Sequence, residues 1–110
     1  MLDPGTVVII DFQGAVQTKR RPALVVSTAA YNSATPDVVL AILTGQTTNA
    51  TGPTDYILKD WLGSGLARPS AFRAFLRTEP RTAITRVIGK LSDRDWQEVQ
   101  SRLRLALAVT

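Results

Sequence analysis

The sequence contains neither cysteine nor histidine. The absence of cysteine excludes disulfide bonds, thiolate nucleophiles and cysteine-ligated metal sites. The absence of histidine removes the commonest general base and the commonest zinc ligand. Any catalysis by this chain therefore depends on arginine, lysine, carboxylate, tyrosine or hydroxyl side chains, and the sequence implies neither a metal nor a cofactor.

Long apolar runs are also missing. No stretch of the chain approaches the ~20 consecutive apolar residues that a membrane-spanning helix needs. The N-terminus has neither the basic nor the apolar region of a signal peptide, so we expect a cytoplasmic protein without membrane contact. A length of 110 residues with 45% apolar composition predicts a single domain over residues 1–110 that buries its own core.

Positive charge is what the sequence has in excess. Thirteen lysines and arginines oppose nine acidic residues, giving a formal net charge of +4, and ten of the thirteen cations are arginine. Guanidinium groups favour bidentate contacts to phosphate and carboxylate groups. The composition therefore predicts an anionic partner, either a nucleic acid or an acidic protein segment.

Runs of β-branched and aromatic residues bounded by turn residues indicate a mainly β protein. We predict strands over residues 6–12, 23–27, 38–43, 55–58, 70–78 and 84–88. Residues 13–20 are expected to form a long basic hairpin tip and residues 28–37 an irregular connection. Strands in succession with one terminal helix predict a small, half-open β-barrel with the helix packed against it.

The C-terminal segment carries the one convincing helical pattern. Ser92 with Asp95 three residues later resembles a capping box, which marks a helix start. Trp96, Val99, Leu103 and Leu107 recur at helical spacing, as expected for one apolar face of a helix. We therefore predict an amphipathic helix that begins at Ser92 and packs on the core.

A candidate anion-binding site lies in the stretch Lys19-Arg20-Arg21-Pro22. Proline lacks an N–H and biases the preceding residue towards an extended conformation. We therefore expect Arg21 to be held at the entrance of the second strand with its guanidinium free. Thr44 ends the third strand, and if the two strand ends are close, a guanidinium and a hydroxyl can bind one phosphate. The alternative is a solvated basic loop before an ordinary strand.

The usual enzyme motifs are absent from the sequence. There is no Gly-rich phosphate loop opening a helix and no serine nucleophile elbow. Gly63-Ser64-Gly65 lacks any histidine that would activate the serine, so we interpret it as a turn.

Four short motifs occur in order before the C-terminal helix. They are Arg21-Pro22-Ala23-Leu24-Val25-Val26, Tyr31-Asn32, Leu43-Thr44-Gly45-Gln46 and Arg77-Thr78. Together with the leading β-strand and the helix entry Leu91-Ser92-Asp93, they resemble the MazF/PemK family of toxin endoribonucleases. The resemblance implies an SH3-like barrel that forms a homodimer and cuts single-stranded RNA without a metal ion, with the 2′-hydroxyl attacking the adjacent phosphorus.

The same resemblance implies Arg21 and Thr44 as the catalytic pair. A guanidinium and a hydroxyl aimed at phosphorus stabilise the charge that develops as the 2′-oxygen attacks. Cationic or amide side chains beside this pair, or on the exposed face of the fifth strand, are candidate RNA contacts: Lys19, Arg20, Gln46, Arg73 and Arg77.

The resemblance further implies an antitoxin partner. Its disordered, acidic segment would cover the basic mouth of the barrel and block the site. Arginines of the second half of the chain are candidates for this surface, with scattered solvated charge as the alternative: Arg68, Arg73, Arg77, Arg81 and Arg86.

No general base is evident from the sequence. Ala74 and Phe75 stand where some members of the family have an acidic residue, and arginine stays protonated in proteins, so Arg21 is expected to act as a charge clamp. Two other functions therefore remain open. One is a non-enzymatic toxin similar to CcdB, which binds DNA gyrase, and the other is a barrel that binds RNA or an acidic peptide without turnover.

Overall fold

The computed structural model describes residues 2–109. Its strands and helices, in chain order, are β1 Thr6–Gln13, β2 Thr18–Val25, α1 Ala29–Ala34, β3 Asp37–Thr44, β4 Tyr56–Ile57, β5 Ala71–Pro80, β6 Ile84–Lys90 and α2 Asp93–Ala106. Short 3₁₀ helices span Thr47–Asn49, Leu62–Ser64 and Arg81–Ala83. The prediction of a mainly β fold with a C-terminal helix is confirmed. No helix within residues 2–109 is both long enough and apolar enough to cross a membrane.

The six strands form one antiparallel sheet in the order β4-β5-β3-β2-β1-β6. Successive side chains of a strand point to opposite faces, and here both faces of the central strands are buried. One apolar cluster contains Val7 and Leu24 and extends to Val99 of α2. The other contains Val8 and Ile10. This burial on both faces explains why β1 and β3 are almost continuously apolar.

The basic stretch after β1 forms a strand where the sequence predicted a loop. β2 begins at Thr18, and residues 19–21 pair with residues 10–12 of β1. The hairpin tip is short and is closed by a 2.9 Å hydrogen bond from the Gly14 N–H to the Gln17 carbonyl. Backbone pairing does not depend on side-chain polarity, and these charged side chains remain exposed. Arg21 therefore lies within the strand and not at its entrance, which corrects the prediction.

The connection between β2 and β3 is helical where the sequence predicted an irregular segment. Thr28 caps the N-terminus of α1 with its side chain. The buried Asn32 donates from Nδ2 to the Leu2 carbonyl at 2.9 Å. Arg81 donates to the Asn32 carbonyl and, at 2.7 Å, to the Thr35 carbonyl at the end of α1. Tertiary hydrogen bonds thus stabilise a helix too short to show an apolar period.

A buried carboxylate joins α2 to the rest of the chain. Ser92 is the N-cap, as predicted, and its hydroxyl accepts from the Asp95 N–H at 3.3 Å. The helix ends at Ala106, so Leu107, which is exposed, follows the helix and does not extend its buried face as predicted. Asp95 is fully buried and accepts hydrogen bonds from the Tyr56 hydroxyl at 2.5 Å and from the N–H groups of Lys59 and Asp60 at 3.1 and 2.8 Å. The side chain therefore does more than favour the helix dipole, because it satisfies the donors of a loop 35 residues away.

A bulge interrupts the pairing of β5 with β3. Leu43 pairs with Phe72 and Ala41 with Leu76, so three residues of β5 stand opposite one residue of β3. Ala74, in the middle of the bulge, has a φ of +52°, a region that costs a residue with a side chain about 1–2 kcal/mol. The flanking residues of the bulge, 73 and 75, reach the cavity described next.

Candidate active site

Strands β2 and β3 are paired over only part of their lengths. Residues 23–25 pair with residues 40–42, whereas β2 continues alongside β1 back to Thr18 and β3 continues alongside β5 to Thr44. Pro22 stands where this pairing stops, and its missing N–H removes a donor that would extend it. The two strands therefore separate and leave a gap at this end of the sheet.

The gap opens into a cavity of about 480 Å³ lined by both Arg21 and Thr44. The other lining residues are aromatic, cationic and aliphatic: Phe12, Lys19, Ile42, Leu43, Arg73 and Phe75. The spatial condition of the sequence hypothesis, that the guanidinium and the hydroxyl share one site, is therefore met. Their catalytic role stays a prediction.

The hydroxyl of Thr44 is oriented by the turn that follows it. Its oxygen accepts a hydrogen bond from the Gln46 N–H at 3.1 Å, which leaves the hydroxyl proton free to donate to a ligand. The Gln46 side chain accepts from Asn49 Nδ2 at 3.1 Å and does not line the cavity. Gln46, a predicted RNA contact, thus positions Thr44 through its backbone.

Strand alternation separates the three cations of β2. Lys19 and Arg21 line the cavity, whereas Arg20 makes a fork with Asp11 through bonds of 2.8 Å (Nε to Oδ1) and 3.1 Å (Nη2 to Oδ2). The hydrogen bond from Arg20 holds the pKa of the Asp11 carboxyl below its usual value. Arg20 was predicted to contact RNA, but the structure places it outside the cavity.

The two candidate arginines of β5 differ in position. Arg73 lines the cavity, with its Nε 3.5 Å from Oδ2 of Asp55. Arg77 pairs with Glu79 at 2.9 Å, and its guanidinium carbon lies 4.8 Å from the centroid of the Phe12 ring. Phe12 lines the cavity and Arg77 does not. Arg77 therefore contacts the site only through its cation–π contact with the Phe12 ring.

A second cavity of about 200 Å³ adjoins the same gap. Arg21 lines it as well, together with Arg68 and Arg86. Arg68 lies directly against the residue after Thr44, because a Cβ built on Gly45 would be 2.7 Å from Arg68 Nε. Sequence reasoning gave Arg68 and Arg86 only as scattered surface candidates, since no local pattern shows that they meet Arg21.

Among residues 2–109, no carboxylate lines either cavity. Within residues 2–109 there is also no cluster of three or more acidic side chains that could hold a metal ion. The site therefore offers positive charge and a hydroxyl donor but no side chain that accepts a proton. This combination is suited to binding a phosphate and stabilising added negative charge on it.

Comparison with known proteins identifies the family. Residues 3–107 match the family described as PemK-like, MazF-like toxin of type II toxin-antitoxin system. The chain belongs to this family. No curated protein matches the sequence significantly.

Solved structures of MazF-like toxins share the fold. An endoribonuclease from a mycobacterial species, in complex with its cognate antitoxin, is 23% identical with a TM-score of 0.83, over 100% of this chain and 98% of that one. A MazE–MazF complex from Deinococcus radiodurans is 24% identical with a TM-score of 0.78, over 99% and 98% of the two chains. MazF from the same organism is 27% identical with a TM-score of 0.74, over 98% and 97%. The predicted MazF-like fold is thereby confirmed.

Proposed function

We propose that this MazF-like toxin is a metal-independent endoribonuclease that cleaves single-stranded RNA with Arg21 and Thr44 as its catalytic pair. The observation that carries the proposal is their position on one cavity. Arg21 is exposed and, within residues 2–109, forms no ion pair with a carboxylate. Its guanidinium is therefore available to an anionic substrate.

In the proposed step the 2′-oxygen forms a bond to phosphorus while the bond from phosphorus to the 5′-oxygen breaks. The products are a cyclic 2′,3′-phosphate and a free 5′-hydroxyl end. Negative charge grows on the non-bridging oxygens during this exchange. Arg21 stabilises that charge and Thr44 donates its hydroxyl proton as a hydrogen bond, an effect worth about 10²–10³-fold for a well-placed donor.

Proton transfer in this proposal is left to solvent. No carboxylate of the described residues lines the cavity, and arginine does not release its proton in proteins. Water accepts the proton of the 2′-hydroxyl and returns one to the departing 5′-oxygen. Electrostatic stabilisation of the transition state by the site, and not general-base catalysis, then supplies most of the acceleration.

The walls of the cavity support a single-stranded substrate. Phe12 and Phe75 are aromatic platforms on which unpaired bases can stack, and Phe75 is 55% exposed. Lys19 and Arg73 add positive charge to the same walls, which favours contact with the phosphate backbone. Base-paired RNA would not present its base faces to these rings.

Two partners complete the proposal. We propose a cognate antitoxin with a disordered, acidic segment, supported by the antitoxin-bound mycobacterial endoribonuclease. We also propose that the protein acts in the cytoplasm, where cellular RNA is found.

The second proposed partner is another copy of the chain, in a homodimer. It is supported by large apolar side chains left exposed, such as Val87 at 56% and Leu105 at 66%. Light scattering after gel filtration tests the dimer, and a monomeric mass at micromolar concentration would contradict it.

The decisive experiment incubates the purified protein with unstructured RNA in excess chelator. We expect cleavage with cyclic phosphate ends, and its loss by about 100-fold in Thr44→Val, which keeps the shape of the side chain but removes the hydroxyl. Thr44→Ser keeps the hydroxyl and is expected to retain most of the activity. Intact RNA with the wild-type protein, or equal activity of the valine and serine variants, would contradict the proposed site.

A toxin that binds without cleaving is the second candidate. The cavity linings favour it, because within residues 2–109 no carboxylate is placed there to take the 2′-proton. This function predicts growth inhibition on expression while cellular RNA stays intact, which primer extension on total RNA would reveal.

A further inference from the structure

The arginines of this toxin fall into groups according to their partners. Five of them form ion pairs with carboxylates: Arg20, Arg73, Arg77, Arg94 and Arg102. Arg81 donates to two carbonyl groups at the end of α1. The remaining four, Arg21, Arg68, Arg86 and Arg104, have neither kind of partner in the described chain, residues 2–109. Of these four, Arg21, Arg68 and Arg86 line the 200 Å³ cavity and Arg104 does not.

These three arginines reach the cavity from separate elements of the fold. Arg21 belongs to β2, and Arg86 of β6 is paired opposite Ile9 of β1, which is itself paired opposite Pro22. Arg68 comes from the loop before β5. Three like charges around one small cavity repel each other, so an anion between them relieves the repulsion and gains charge-assisted hydrogen bonds.

Two glycines line this cavity at close approaches between segments of the chain. Gly45 lies against Arg68, as the 2.7 Å approach of a built Cβ to Arg68 Nε shows. Gly65 has a φ of +88°, and a Cβ there would lie 2.0 Å from the Ile88 carbonyl oxygen. Both glycines line the cavity, so its walls are partly bare backbone, which an anion can approach closely.

We propose that the Arg21–Arg68–Arg86 cavity binds a second phosphodiester of the RNA, next to the one attacked between Arg21 and Thr44. The inference rests on the proposed function, and it adds two binding residues, Arg68 and Arg86, to the site. Arg21 lines both cavities, so it lies between the two phosphates. The smaller cavity then holds the RNA backbone and fixes which linkage reaches Thr44.

The test measures binding of the full-length protein to a fluorescent single-stranded RNA made uncleavable by 2′-O-methyl groups. Arg68→Ala and Arg86→Ala are each expected to weaken binding about tenfold. Each should also reduce the slope of log K against log salt concentration by about one, as the loss of one phosphate contact does. Arg104→Ala is the matched control, since it removes one exposed positive charge from the last turn of α2, and it is expected to change affinity less than about twofold. Thermal unfolding checks that each variant folds.

A phosphate scan makes the test specific. Each linkage in turn is replaced by an uncharged methylphosphonate, and the wild-type protein is expected to lose about tenfold in affinity at one linkage beside the attacked one. The double variant Arg68→Ala/Arg86→Ala is expected to lose clearly less than the wild type at that linkage, because Arg21 is then the one arginine of the three left to contact it. In cleavage assays the double variant is expected to raise KM with little change in kcat.

The two proposals fail in different ways. If RNA is cut but every methylphosphonate weakens the wild type and the double variant equally, the second phosphate site is overturned and the endoribonuclease stands. The opposite outcome is intact RNA together with one methylphosphonate that weakens the wild type much more than the double variant. In that case cleavage is overturned and the phosphate site stands. Variants that lose affinity for a poly-glutamate peptide while binding RNA normally would also overturn the phosphate site.

Discussion

Two regions of this molecule differ in how their charged side chains are paired. At the base of α2, Asp95 is buried and accepts three hydrogen bonds, while Asp60 is held by the fork of Arg94 through two bonds of 2.7 Å. At the gap between β2 and β3, Arg21, Arg68 and Arg86 form no ion pair with any carboxylate of residues 2–109. Both regions are polar, but within this part of the chain the carboxylates of the first region have partners and the three arginines of the second do not.

The contrast distinguishes charged groups that stabilise the fold from charged groups that are available to bind a ligand. A buried carboxylate with all its donors in place fixes the elements around it, and removing one partner is costly. Burial, together with the hydrogen bond to Asp95, raises the pKa of the Tyr56 hydroxyl, so Tyr56 keeps its proton at neutral pH and continues to donate to Asp95. Exposed guanidinium groups without partners contribute little to stability and remain free for a ligand.

The largest effect is expected on RNA cleavage, in a comparison of two neighbouring arginines on opposite faces of β2. Arg21→Ala should lower kcat/KM for RNA by about 10²–10³-fold, because it removes the charge that faces the substrate. Arg20→Ala, which breaks only an exposed pair with Asp11, should change it less than about twofold. Steady-state cleavage assays measure both, with thermal unfolding as the control for folding. An equal loss in the two variants would show that the cavity does not define the site.

The next largest effect is expected on the stability of the fold, at the buried carboxylate near the start of α2. Asp95→Asn keeps the shape but turns an NH₂ group towards a backbone N–H, and we expect a loss of about 2–3 kcal/mol in the free energy of unfolding. Asp93→Asn, at an exposed position in the same first turn, should lose only about 0.5 kcal/mol. Urea unfolding measures both. If Asp95→Asn costs no more than Asp93→Asn, the buried carboxylate is not the anchor of α2.

A smaller effect is expected in acid. The hydrogen bonds from Arg94 and then from Ser92 lower the pKa of Asp60 to about 2, from an ordinary value of 3.8. A lowered pKa in the folded state stabilises the protein above the unfolded value, and this contribution is lost as the pH falls from about 4 towards 2. In urea titrations, Asp60→Asn should flatten the decline of stability over this interval relative to the wild type. Arg94→Ala removes the main cause of the shift and should flatten it as well, so an unchanged decline in both variants would contradict the assignment.

The smallest effect is expected at the bulge of β5. Ala74→Gly relieves the strain of a φ of +52° but adds backbone freedom to the unfolded chain, so the two terms nearly cancel and stability should change by less than about 0.5 kcal/mol. Ala71→Gly, at a fully buried position of the same strand, should cost about 1 kcal/mol because it has no strain to relieve. Equal costs at the two positions would show that the bulge is unstrained.

Local pattern was enough to predict most of the fold. β-branched runs marked β1 and β3, and the spacing of Trp96, Val99 and Leu103 marked α2, because their apolar side chains face buried surfaces. The start of β2 was wrongly predicted as a loop because a run of charged residues is typical of loops. Pairing with β1 depends on the backbone alone. The short helix α1 was missed because tertiary hydrogen bonds, and not an apolar period, stabilise it.

The candidate site was only half visible in the sequence. Arg21 and Thr44 stood out through motifs at the ends of apolar strands, and strand alternation separates Arg21 from Arg20 once β2 is known. Arg68 and Arg86 were named in the sequence only as part of a wider basic surface, since it is the pairing of β6 with β1 and the path of the loop before β5 that bring them to Arg21. The role of Asp95 was hidden for the same reason, because its donors lie 35 to 39 residues away.

The early end of the ladder between β2 and β3 has a consequence for motion as well as for access. Residues 18–22 are held by β1 alone, whereas residues 23–25 have a neighbouring strand on each side. Amide hydrogens of the first group should therefore exchange with solvent sooner than those of the second, without unfolding of the rest of the sheet. Pro22 thus marks a boundary within one strand between a segment that fluctuates locally and a segment that opens only when the whole domain unfolds.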